Sequence, residues 1–76
     1  MPTLKYAPTV VNTYVKHLQR DLYSAGYTSV TSADGRFGSI TETAVKSFQG
    51  NNNLTVDGKV GDNTKKKLWK KLHPIG

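Results

Sequence analysis

A chain of 76 residues with 11 Lys and Arg against 5 Asp and Glu has room for one domain and carries a net charge of +6. It has no cysteine, which excludes disulfides, thiolate metal sites and a cysteine nucleophile. No apolar run approaches the roughly 20 residues that cross a bilayer. The opening MPTLKYAPTVV lacks a basic stretch followed by an apolar one, so no signal peptide is expected in it. If the protein is secreted, this chain is expected to be a piece of a longer one.

The charge is uneven. Residues 57–76 hold six Lys and two Asp, net +4, and the rest of the chain holds +2. Such a field attracts polyanions: nucleic acid, anionic lipid or an anionic wall polymer.

The first element is TVVNTYVKHLQRDLYSAGY. Val11, Val15, Leu18, Leu22 and Ala25 recur at helical spacing and predict a helix over about 10–25. Thr9 is the expected N-cap. Gly26 is the expected residue past its end, with Tyr27 packing back on Leu22. Residues 28–38 read as loop.

In SITETAVKSFQGN, Ile40, Ala44, Val45 and Phe48 draw a second apolar stripe. Gly38 stands at the N-cap, and Glu42 in the first turn suits the helix dipole. GNNN at 50–53 stops this helix. A short extended stretch follows, and DNTKKKLWKKL forms a third helix with Leu68 and Leu72 inward. Asp62 at its start and five lysines toward its end favour the dipole, and Pro74 ends it. Brief β-bridges are allowed in the connections, but no real sheet.

Two stretches repeat. DGRFG at 34–38 and DGKVG at 57–61 each continue to a threonine, Thr41 and Thr64; VKHLQ at 15–19 returns as VKSFQ at 45–49. Each residue of the turn has a structural task. Asp34 and Asp57 accept bonds from amides just ahead, and Gly35 and Gly58 take positive φ. Phe37 and Val60 plug the core, Gly38 and Gly61 start the helix, and the threonine hydroxyls bond back to the turn. The alternative of a calcium loop fails, because such a loop needs oxygen ligands at alternate positions and a closing Glu.

These blocks in this order resemble the peptidoglycan-binding domain 1 family, small three-helix modules attached to cell-wall hydrolases. Val15, Leu18, Gln19, Leu22, Gly26 and Tyr27 match the first block of the family pattern. The second runs from Asp34 to Gln49, and the third from Asn53 to Leu68. Ser39 and Asp62 stand where the family often has Pro. Lys65 and Lys67 stand where it has Trp and a small apolar residue, and the aromatic appears at Trp69. The resemblance covers about 11–72. It implies an all-α three-helix bundle with two repeated DGxxG turn-and-helix units. It also implies residues 10–73 as the domain, with 1–9 as an N-terminal extension and 74–76 as a tail.

The resemblance implies a non-catalytic module that holds an attached hydrolase on peptidoglycan, outside the cell and associated with the wall, as a monomer. The ligand would be the glycan strand or the stem peptide, with anionic wall polymers as a further partner. Candidate contacts are Arg36, Gln49, Asn51, Asn52, Asn53, Tyr27 and Trp69, because amide and guanidinium groups bond sugar hydroxyls and carboxylates while rings stack on sugar faces. For Gln49, as for Gln19, a structural bond to loop backbone is the competing role. No catalytic residue, metal or cofactor is expected. His17 and His73 have no zinc-site spacing, and Glu42 is the only glutamate, without a partner for a glycosidase pair. The alternative function is a small basic nucleic-acid-binding three-helix domain, carried by TKKKLWKKL. Against it, the link before the third helix is longer than a helix-turn-helix allows.

Overall fold

A computed structural model describes residues 3–73. It contains three helices, α1 (Thr13–Ser24), α2 (Ser39–Asn51) and α3 (Asp62–Leu72). Among the described residues there is no strand. Two isolated antiparallel bridges, Leu4 with Val60 and Ala7 with Phe37, join the N-terminal segment to the two turns. Pro74 lies outside the described residues.

α1 packs against both other helices. Its core face is Val15, Leu18 and Leu22, meeting Ala44, Val45 and Phe48 from α2 and Leu68 from α3. Val45 and Phe48 are fully buried, and each such side chain contributes about 1.5–3 kcal/mol through lost water contact. Phe37 and Val60 fill the core from the turns as the sequence implies, Val30 from the loop, and Leu4 from the segment ahead of α1.

Three local readings change. The N-cap of α1 is Asn12 rather than Thr9: its Oδ1 accepts from the Tyr14 amide at 2.8 Å. Thr9 sits instead in a turn closed by the Val10 amide donating to the Ala7 carbonyl. Val11 therefore precedes the helix and is 59% exposed. Ile40, placed on the inner stripe of α2, is 60% exposed, because at about 100° per residue it lies at the edge of the face that buries Thr41, Ala44, Val45 and Phe48.

The C-termini follow the expected chemistry. Gly26 has φ +105°, and the Tyr27 and Gly26 amides donate to the Leu22 and Tyr23 carbonyls, the paired closure of a left-handed cap. At the end of α2 the left-handed residue is Asn53, φ +58°, and the Leu54 amide donates to the Gln49 carbonyl.

Candidate functional site

Both turns are held by a glutamine from the helix before them. The Gln19 Nε2 group donates to the Arg36 carbonyl at 2.9 Å, Thr41 Oγ1 at 3.0 Å and Asp34 Oδ1 at 3.2 Å, while its Oε1 accepts from the Gly35 amide. Gln49 does the same for the second turn. It donates to the Lys59 carbonyl at 2.8 Å, Asp57 Oδ1 at 2.9 Å and Thr64 Oγ1 at 3.2 Å, and accepts from the Gly58 and Asp57 amides. Thr41 and Thr64 thus meet the turn through a glutamine. Both glutamines are buried, and no buried side-chain polar atom among the described residues lacks a partner.

The carboxylates close each turn from outside. The Arg36 amide, and then the Gln19 side chain, hold the Asp34 carboxyl below its usual range. The Lys59 amide and then Gln49 do the same for Asp57. Gly35 and Gly58 adopt φ +80° and +73°, the left-handed region that side chains resist. Gly38 and Gly61 do not need to be glycine on conformational grounds: both have φ −92° and ψ −168°, and a Cβ on Gly38 would meet nothing within 4 Å.

Gly38 therefore leaves α2 without a side-chain cap. The amides of Ser39, Ile40 and Thr41 have no backbone acceptor among the described residues, and these residues border a groove of about 290 Å³. Ser29, Thr31, Ser32, Asp34 and Arg36 also line it. Arg36 is exposed, and its guanidinium is in no ion pair among the described residues. The loop hydroxyls were missed from sequence; the DGRFG stretch and the helix start after it marked the place but not the loop folded beside it.

The other candidates lie elsewhere. Tyr27 is half-buried, edge-on to Phe48 with centroids 5.8 Å apart, and its hydroxyl accepts from Asn51 Nδ2 at 3.0 Å. These two are brought together. Asn52 is occupied as the C-cap of α2, its Nδ2 donating to the Phe48 carbonyl. Asn53 supplies the left-handed backbone just after it. Gln49, 1% exposed, spends its amide on the turn. Trp69 is 52% exposed on α3, its ring tilted 35° against the His73 ring with centroids 4.8 Å apart.

A cleft of about 280 Å³ between α1 and α3 runs beside Trp69, past Tyr14, His17 and Asp21. Lys65 Nζ stands 5.9 Å from the centroid of the Tyr14 ring. Burial raises the Asp21 carboxyl, against the pull of His17, His73 and Lys65. Among the described residues no three His, Cys, Asp or Glu side chains gather as metal ligands. No helix among them is long and apolar enough to cross a membrane.

A three-helix domain that spends its buried polar groups on its own turns and presents rings, cations and free amides at its surface is a small binding module. The chain belongs to the family described as "Putative peptidoglycan binding domain", which matches residues 12–68. It is also similar to the crystal structure of a fused Zn-dependent amidase/peptidase/peptidoglycan-binding-domain protein from Clostridium acetobutylicum. That likeness has a TM-score of 0.79 and 36% sequence identity, over 88% of this chain. The chain spans 28% of that protein's length. No curated protein matches the chain.

Proposed function

We propose that this chain is a non-catalytic module that binds peptidoglycan and holds an attached wall hydrolase on its substrate, outside the cell. Residues 10–73 carry the module's three helices and turns, and the segment before them packs Leu4 into the same core. The module is built from two copies of one unit, a helix glutamine clamping a DGxxG turn that launches the next helix, and it acts as a monomer. Binding to the wall raises the local concentration of a tethered catalytic domain, an effect set by the linker rather than by any new contact at the active site.

The observation that carries this reading is the family match along residues 12–68; the similar fused amidase/peptidase supports the attachment. The groove beside Arg36 is the contact surface that fits best. Arg36 and the free amides of Ser39, Ile40 and Thr41 suit a stem-peptide carboxylate. The Asp34 carboxylate suits an amine of the same peptide, and the loop hydroxyls suit its amide groups. Tyr27 with Asn51 offers a second polar edge for a sugar.

Two measurements test it. The purified chain is expected to sediment with walls stripped of their anionic polymers, and defined muropeptides are expected to shift the amide resonances of residues 36–41. Retention in the supernatant with stripped wall and with muropeptides alike would overturn the function. Sedimentation without shifts at 36–41 would overturn the groove alone.

A further inference from the structure

We infer that the outer face of α3 is a second binding surface, which takes a linear phosphodiester polymer of the cell wall. The inference rests on the wall-binding reading only for where the domain works. The face itself follows from α3. At about 100° per residue, Lys66, Trp69, Lys70 and His73 lie on the side away from the buried Thr64 and Leu68, and Lys65 flanks them at the edge of the cleft with α1. All five are exposed.

None of the lysines has an acid within ion-pair distance among the described residues, where the one ion pair joins Lys46 to Glu42. Lys66 and Lys70 lie one turn apart, a like-charge spacing that destabilises an isolated helix. The acids that face this surface are Asp62 at the helix start and Asp21 across the cleft; neither neutralises it. A bound polyanion would relieve that repulsion and release counterions.

Trp69 adds a second, independent feature. Leu68 and Leu72 already supply the inward stripe of α3, so the indole is not needed in the core. It lines instead a shallow concavity of about 470 Å³ together with Lys65, Lys66, Lys70 and the single acid Asp62. A flat ring flanked by ammonium groups matches a repeat that alternates phosphates with a polyol or sugar. The ring packs on C–H faces while the lysines meet the phosphates as point charges. Duplex nucleic acid fits less well. α3 is preceded by a ten-residue link, 52–61, that Gln49 holds in place, and not by the short turn of a helix-turn-helix. The face also has no arginine to read base edges.

The test compares walls that keep their phosphodiester polymers with walls from which hydrofluoric acid has removed them. The unaltered chain is expected to bind the intact wall about tenfold more tightly at low salt, with the excess lost at high salt. The variant K65Q/K66Q/K70Q, altered only at exposed positions, is expected to lose the excess and keep its binding to the stripped wall. Equal binding of the unaltered chain to both walls overturns the proposal, as does a variant that keeps the excess. Titration with the free polymer judges the face independently of peptidoglycan: shifts of the Trp69 indole resonance support it and their absence overturns it. Competition by random duplex DNA as effective as that by the polymer also overturns it. Failure to bind stripped wall, with the free polymer still shifting Trp69, overturns the peptidoglycan reading and sustains this one.

Discussion

The Gly58 amide donates to Gln49 Oε1 at 3.0 Å, so a helix side chain determines the shape of a turn that follows it. Truncating Gln49 to Ala would strand the Gly58 amide, the Lys59 carbonyl and the Thr64 hydroxyl together in a site that is nearly dry. We expect Gln49→Ala to lose about 3 kcal/mol, a fall in Tm of about 15 °C by calorimetry. Gln49→Glu should do little better: it keeps the shape but loses the Nε2 donor and buries a charge. Wild-type stability in Gln49→Ala would mean that the turn holds without its clamp.

The two left-handed glycines should differ in cost. A Cβ on Gly35 would stand 3.1 Å from the Asn12 carbonyl oxygen, which is fixed backbone, whereas a Cβ on Gly58 would meet Lys46 Cε at 3.1 Å and Glu42 Cγ at 3.2 Å. Both alanine variants bear the left-handed strain of about 1–2 kcal/mol, but only the side chains near Gly58 can move aside. Urea midpoints should therefore fall further for Gly35→Ala than for Gly58→Ala.

Acid should unfold the domain through its turns. Hydrogen bonds depress Asp34 and Asp57 in the folded state. Their contribution is present above the unfolded aspartate value of about 3.9 and is lost as pH falls through the lower folded values. Asp21 has the opposite sign, since burial raises it, and its protonation favours the fold as pH falls. The Tm-against-pH curve should have a shallower acid limb in Asp34→Asn/Asp57→Asn, and a steeper one in Asp21→Asn.

The open start of α2 offers a stability-for-function exchange. Gly38→Ser introduces a capping hydroxyl at a position with ordinary φ and free space. It should stabilise by a few tenths of a kcal/mol while covering the amides of Ser39, Ile40 and Thr41. We expect a slightly higher Tm together with weaker binding to stripped wall. Arg36→Ala should lower that binding about tenfold with Tm unchanged within about 2 °C, because Arg36 is exposed and its guanidinium is in no ion pair among the described residues. Undiminished binding in both variants would move the site elsewhere.

The helices were legible because their stripes are regular and their ends are marked by Gly26, the asparagines and Asp62. What periodicity cannot see is where the core stops. Ile40 continues the α2 stripe in sequence but stands at its edge, with Thr41 taking the buried place in that turn, and Val11 precedes a helix that Asn12 begins. The glutamine clamps were legible in kind, as a structural bond from Gln19 and Gln49 to loop backbone, but not in their partners. Gln19 acts on Asp34 and Gly35 across fifteen residues or more, and its sequence neighbours show only a polar residue on an apolar stripe. Leu4 is a single apolar residue in a Pro- and Thr-bearing segment, without a period to flag it, yet it is 5% exposed. Of the candidate contacts, Arg36 could be placed at a turn from sequence. The hydroxyl-lined loop beside it could not, since nothing local dictates how residues 29–32 fold across α2.

The bridges of the N-terminal segment bear on mechanics. Leu4 exchanges two backbone bonds with Val60 at 3.0 and 2.7 Å, the Ala7 amide donates to the Phe37 carbonyl at 2.9 Å, and the Asn12 amide donates to the Gly35 carbonyl at 2.9 Å. A pull on the chain ahead of Leu4 meets these attachments in series, the one on the second turn first and those on the first turn afterwards. Tension would therefore peel this strap stepwise before reaching any helix, so that α1, α2 and α3 can stay packed while the slack is drawn out.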